Sequence, residues 1–159
     1  RLTSLANLKS DDSVVSSFDY AHDAVGNRTS VLEASGDRVT WTYDTTYQLT
    51  SEQRSGGNAY HTTFVYDAVG NRLVKDEDGS LTTYTYDAAN QLQTSVDAGG
   101  VTTYTFDANG NQQIVKAPGG ASTTYVWDYE NQTTCVELPG GERVTMAYNA
   151  DNRRVRKVT

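Results

Sequence analysis

Tyr84-Thr85-Tyr86-Asp87-Ala88-Ala89-Asn90-Gln91-Leu92 is the stretch on which the fold turns, because close copies of it recur along the chain. Gly-Asn versions stand at His22-Asp23-Ala24-Val25-Gly26-Asn27-Arg28, Tyr66-Asp67-Ala68-Val69-Gly70-Asn71-Arg72-Leu73 and Phe106-Asp107-Ala108-Asn109-Gly110-Asn111. Other versions are Tyr43-Asp44-Thr45-Thr46-Tyr47-Gln48-Leu49, Trp127-Asp128-Tyr129-Glu130-Asn131-Gln132 and Tyr148-Asn149-Ala150-Asp151-Asn152-Arg153-Arg154-Val155. The lead residues fall at 22, 43, 66, 86, 106, 127 and 148, in steps of 20 to 23 residues. A fixed period of this size marks a repeat architecture. Glycine-bearing long turns, with Asn152 in the glycine place of the last copy, alternate with shorter ones at 43, 86 and 127, so the unit reads as a double repeat of about 40 residues.

Each period has the same local grammar. A strand leaves the Tyr-Asp turn, a glycine turn such as Asp78-Gly79-Ser80 or Pro139-Gly140-Gly141 reverses it, and a second strand runs into the next Tyr-Asp. Glycine supplies the positive φ that tight hairpins need. Short strands at about ten-residue spacing, with no sustained helical period, give an all-β repeat array of antiparallel hairpins. Two places before the lead residue stand Tyr20, Trp41, Phe64, Tyr84, Tyr104, Tyr125 and Met146. Side chains alternate along a strand, so these share a face with the lead residues. The expectation is a continuous core of stacked aromatics, with a column of Thr40, Thr63, Thr83, Thr103, Thr124 and Thr145 on the opposite, outer face.

The repeat-defining residues each have a structural reading. Asp44, Asp67, Asp87, Asp107 and Asp128 sit where the chain turns and can accept backbone N–H bonds two residues on. Gly70 and Gly110 suit left-handed positions, beside Asn71 in the first case; Tyr43, Tyr66, Tyr86, Phe106, Trp127 and Tyr148 supply the aromatic column.

Bulk composition agrees. Of 16 aromatic residues 11 are Tyr, against two Pro, one Met and one Cys, a β-rich and turn-rich profile. The net charge of −7 is uneven: residues 1–142 hold 8 bases against 19 acids, while 143–159 hold 5 bases and one acid. The acidic body argues against a nucleic-acid surface, and the basic end reads as a solvated strand. Cys135 has no partner for an internal disulfide and reads as a half-buried strand residue. No apolar run is long enough to span a membrane as a helix. Both ends fall inside a repeat, so the chain is expected to be a single array of about seven repeats cut from a longer one, with terminal strands open to pairing with repeats of the same or another copy.

Tyr-Asp-Ala-x-Gly-Asn-Arg and Tyr-Asp-Ala-x-Asn-Gln-Leu at this spacing resemble the YD repeats of the RHS superfamily, which includes bacterial Rhs polymorphic toxins, Tc toxin C components and teneurins. The resemblance covers essentially the whole chain. It implies a hairpin ribbon that spirals into a solenoid or partial shell, enclosing or displaying a C-terminal toxin polypeptide of a secreted bacterial effector. Localisation would be secreted or at the cell surface. The Asp-Pro-x-Gly segment that the resemblance associates with self-cleavage before the cargo does not occur here, so the chain reads as shell wall.

Other chemistry is weaker. The Asp residues are spread one per repeat, whereas acid–base catalysis needs two carboxylates converging on one site. His22 and His61 belong to no recognisable Ser or Cys nucleophile motif, and no Gly-x-Ser-x-Gly occurs. Asp76-Glu77-Asp78-Gly79 resembles a calcium loop but lacks the later Glu, and reads as a solvated acidic turn. No catalytic residue, cofactor or metal site is therefore expected. The alternative function is adhesion or carbohydrate binding at the cell surface, with Tyr47, Tyr60 and Tyr129, outside the main columns, as the exposed contacts. An all-β array predicts a far-UV circular dichroism spectrum dominated by strand; a helical spectrum would sink it.

Overall fold

A computed structural model describes residues 1–159 and contains fifteen strands. It divides into two compact units, residues 1–81 and 82–159. The first contains β1 (Ser4–Leu8), β2 (Val14–His22), β3 (Arg28–Glu33), β4 (Arg38–Tyr43), β5 (Leu49–Arg54), β6 (Tyr60–Tyr66) and β7 (Arg72–Glu77). After β8 (Ser80–Tyr86), which crosses the boundary, the second contains β9 (Leu92–Asp97), β10 (Gly100–Phe106), β11 (Gln112–Lys116), β12 (Ser122–Trp127), β13 (Thr133–Glu137), β14 (Arg143–Tyr148) and β15 (Arg154–Val158). From β1 to β7, and from β8 to β15, every strand pairs antiparallel with its neighbours in sequence. The only helical element is a single 3-10 turn at Pro118–Gly120.

Every Tyr-Asp turn carries the same irregularity. Tyr66 pairs with Arg72 but Val65 pairs with Val74, so Leu73 is an extra residue on the returning strand. The same slip recurs at His22, Tyr43, Tyr86, Phe106, Trp127 and Tyr148. Such a bulge disrupts the ladder locally and increases the twist. The neighbouring repeat takes up the slack. Tyr43 Oη donates to the Arg28 carbonyl at 2.9 Å, Tyr66 Oη to Leu49 O at 2.9 Å, Trp127 Nε1 to Gln112 O at 2.8 Å and Tyr148 Oη to Thr133 O at 3.1 Å. In each case the acceptor is the residue opposite the preceding lead residue, just before the bulge. The lead position thus selects a ring with a polar tip: the ring packs along the sheet and the tip ties one bulge to the next.

Within each unit, register puts the expected aromatic columns on one face, but they do not form a closed core. Tyr20, Trp41, Phe64, Tyr84, Tyr104 and Tyr125 are half-buried, and no large side chain is completely sequestered. The residues most withdrawn from solvent are small: Val31, Val39 and Cys135 at 6% exposure, with Thr62 and Ser30. The reason is geometric. In these sheets a side chain is covered by its cross-strand neighbours, and Val31 lies between Tyr20 and Val39 in register. A tall ring overtops the same neighbours. Cys135, expected half-buried, is instead enclosed between Val126 and Thr145 on the opposite face. That face carries the threonines, with cross-strand hydroxyl pairs Thr42–Thr50 at 3.0 Å and Thr85–Thr94 at 2.6 Å. β15 is exposed along its length, as expected of a solvated basic strand.

The ties give a direct test. Tyr66→Phe keeps the ring and removes one neutral hydrogen bond, so it should lower unfolding stability by about 1 kcal/mol. Phe106 is the one lead aromatic without a donor, and Phe106→Tyr should place a hydroxyl at the Leu92 carbonyl and raise the urea midpoint. Unchanged midpoints for both variants would remove the tie from the account.

Candidate functional site

Two surfaces concentrate the repeat's chemistry: the row of Tyr-Asp turns and the half-open aromatic face. At each turn the Asp backbone N–H donates to the carbonyl four residues on, and the residue three places after the Asp donates back to the Asp carbonyl. That residue has positive φ in all seven copies: Gly26, Tyr47, Gly70, Asn90, Gly110, Asn131 and Asn152. The turns at 43, 86 and 127 are therefore no shorter than the glycine-bearing ones. The alternation read in the sequence is one of side chains on a common backbone. Gly70 at φ 96 and Gly110 at φ 84 adopt the conformation expected of them.

The carboxylate closes the turn. Asp67 Oδ1 accepts from Val69 N at 3.0 Å and Asn71 N at 2.8 Å, and Oδ2 from Asn71 Nδ2 at 2.9 Å. Asp107 repeats this with Asn109 and Asn111. Asp44, Asp87 and Asp128 each take the two backbone donors, and Asn149 does so with its amide oxygen. The Asn71 amide holds the Asp67 carboxyl below the usual carboxylate range, assisted by three backbone N–H groups and opposed by burial. Asp107 is lowered in the same way, chiefly by Asn111, and Asp44 chiefly by Gln48 N–H.

The aromatic face holds a polar network that sequence reading missed. Glu52 on β5 accepts from Trp41 Nε1 at 2.8 Å and from the Tyr60 hydroxyl. The Glu52 hydrogen bond, with burial, pushes the Tyr60 phenol up to about 12. Tyr60 is thus half-buried among the columns, contrary to its expected exposure. Beside it Arg54 grips both Glu33 oxygens at 2.7 Å and Asp37 at 3.0 Å, a bidentate geometry specific to guanidinium. Arg28 lies over the Tyr20 and Trp41 rings at 5.6 and 5.3 Å. The sequence signal for the network was available as unlike charges at alternate positions on β5 and its neighbours, but nothing local said which side chains meet.

The remaining candidates resolve individually. Tyr47 and Tyr129 are exposed at the turns, at 59% and 105%. His61 Nε2 lies 3.0 Å from Ser51 Oγ on the threonine face, a pairing the sequence did not announce. His22 is half-buried in a hollow with Leu2, Tyr20 and Arg28. The acidic loop at 76–79 is an exposed turn from Glu77 onward, with partners for its carboxylates: Asp76 accepts from Gly79 N, Asp78 from His61 N, and Glu77 pairs with Lys75. Its carboxylates serve three different partners, and no group of three acidic, His or Cys side chains is placed to hold a metal.

An all-β array of antiparallel hairpins, repeating one capped turn, is a structural repeat protein. The sequence family described as RHS Repeat matches residues 22–59 and 66–102, so these two stretches are RHS repeats. A crystal structure of TcdB2-TccC3 is similar to it at TM-score 0.65 and 16% identity, covering 87% of this chain and 9% of that one. TcdB2-TccC3 without its hypervariable C-terminal region matches equally well. TcdB2-TccC3-Cdc42 matches at TM-score 0.56 and 14% identity over 97% of this chain and 12% of that one. At these identities the likeness is one of fold. The chain spans about a tenth of those structures' length. No curated protein sequence matches it.

The turn carboxylates make stability depend on acid. A carboxyl whose folded pKa is depressed contributes stability that is present above its unfolded value, near 3.9, and is lost as the pH falls through the lower folded one. The urea midpoint should therefore fall steeply below about pH 4. The double variant Asp67→Asn/Asp107→Asn keeps an acceptor at each turn without the titration, and should show a shallower fall. Parallel pH profiles would show that these caps do not carry the effect.

Proposed function

We propose that this chain is a wall segment of an RHS/YD-repeat shell that encloses or displays a toxin polypeptide of a secreted bacterial effector. The observation that carries the reading is the half-open aromatic face. Rings on every second strand, an acidic–basic network and stacked arginines line a surface without a covering layer within either unit. Such a face is suited to the inside of a wall, where it meets a confined chain by many weak contacts. The fold likeness to TcdB2-TccC3, a protein whose structure was also solved without a hypervariable C-terminal region, supports the same assignment. The partners are then neighbouring repeats and the enclosed polypeptide, and the location is secreted or at the cell surface.

A second reading has its own observation. Tyr47 and Tyr129 stand out from the turns with their rings open to solvent, as a sugar-stacking or adhesive contact requires. One experiment separates the two. A photo-crosslinking residue is placed at Tyr104, on the aromatic face, at Thr105, on the opposite face, or at Tyr129, in the protein made by its native cells. A shell wall gives polypeptide adducts from position 104 and none from 105. Adducts only from 129, or equal adducts from 104 and 105, would overturn the shell reading.

A further inference from the structure

The aromatic face of the second unit has a hollow of about 440 Å³ over β11 to β15. Its apolar walls are Trp127, Val136, Met146 and Tyr148, all half-buried. The polar tips of the two rings are already used, Trp127 Nε1 on Gln112 O at 2.8 Å and Tyr148 Oη on Thr133 O at 3.1 Å. They therefore offer a ligand ring surface rather than hydrogen bonds. Gln112, Tyr125 and the exposed Arg154 bring polar groups to the lining. An apolar hollow with a few polar groups around it is the usual make-up of a ligand site.

Register sorts the charges of these strands onto two faces. Lys116 pairs with Thr103, Glu137 with Thr124 and Arg143, and Arg156 with Ala147, which puts all four on the threonine face. Arg154 and Lys157 pair with Tyr148 and Met146 and share the face of the hollow. That face of β11 to β15 thus carries two cations and no carboxylate, in a chain whose net charge is −7. Arg154 Nη1 lies 3.9 Å from Met146 Sδ and has no acid beside it. In the first unit, by contrast, Arg54 is saturated by Glu33 and Asp37. Of the turn acids along this edge, Asp128 and Glu130 are held within their own turn, and Asp151 is exposed.

We propose that this hollow binds a polypeptide segment in which an aromatic residue adjoins a carboxylate residue. The ring enters between Trp127, Met146 and Tyr148, and the carboxylate meets Arg154. The inference rests on the reading of the aromatic face as one that meets a polypeptide. Ring edges and a thioether favour an aromatic guest. The planar fork of a guanidinium fits a carboxylate, as Arg54 does with Glu33 in this same chain. The hollow is open to solvent, so an extended chain can cross it without having to end there.

The chain has two tryptophans, Trp41 and Trp127, one in each unit, so its two indole N–H resonances report separately on the two aromatic faces. The whole chain is titrated with N-acetyl-Phe-Glu-amide and with its Phe-Gln and Phe-Lys analogues. The Trp127 signal should shift and the Trp41 signal should stay. The Glu peptide should bind about fivefold tighter than the Gln peptide, the upper range for an exposed ion pair, and the Lys peptide more weakly than either. Arg154→Gln should abolish the preference for Glu and leave binding of the Gln peptide unchanged. Arg156→Gln, on the opposite face of the same strand, should change neither. Equal affinities for the three peptides, a shift at Trp41 alone, or the same loss of preference in Arg156→Gln would overturn the site. Tighter binding of 3-phenylpropanoate than of the Glu peptide would overturn it in favour of a small carboxylate. A Trp127 signal that moves with protein concentration alone would overturn it in favour of a second copy. Should Arg154→Gln fail to fold, the comparison of the three peptides on the unaltered chain decides. None of these outcomes alters the adduct pattern at Tyr104 and Thr105, by which the shell reading is judged.

Discussion

An ionised carboxylate placed one residue after an aromatic ring can accept the N–H groups two and four residues on, and this closure recurs in the chain at intervals of about 20 residues. The bonds are charge-assisted and therefore stronger than neutral ones. They hold a positive-φ residue three places after the acid, and they leave an extra residue on the returning strand. The bulge is what keeps the lead ring opposite the residue that follows the turn, as Tyr66 lies opposite Arg72. Without it the returning strand would slip by one residue and present its other side chains to the aromatic face.

The bulge and the ring then cooperate across repeats. A bulge interrupts the ladder, and the next lead residue supplies a side-chain donor at that place, from Tyr43, Tyr66, Trp127 or Tyr148. Stability is consequently assembled from neighbour-to-neighbour terms, as in other repeat proteins. There is no central cluster of fully buried rings to hold it instead. The same architecture leaves the aromatic face available, and the Glu33–Arg54–Asp37 and Trp41–Glu52–Tyr60 contacts fix its side chains in place. A sheet built in this way presents a large patterned surface at little structural cost, since each strand needs only its two neighbours.

The amino-acid order by itself determined the repeat, its period, the strand alternation and the role of each turn residue. These are local matters: Asp caps its own turn, glycine or asparagine accepts positive φ, and alternation puts positions two apart on one face. Asp67, Asp107, Gly70 and Gly110 do what their types require. Tertiary structure alone decided what reaches across strands. It placed Tyr60 inside the aromatic network, bound Asp78 to the His61 backbone, set His61 beside Ser51 and buried Cys135. It also showed that the rings remain half-open, and that two apparent classes of turn share one backbone. The physical reason is that burial and pairing depend on the register of residues 8 to 22 positions apart. That register is shifted by one at every bulge, so no spacing in the sequence reports it directly.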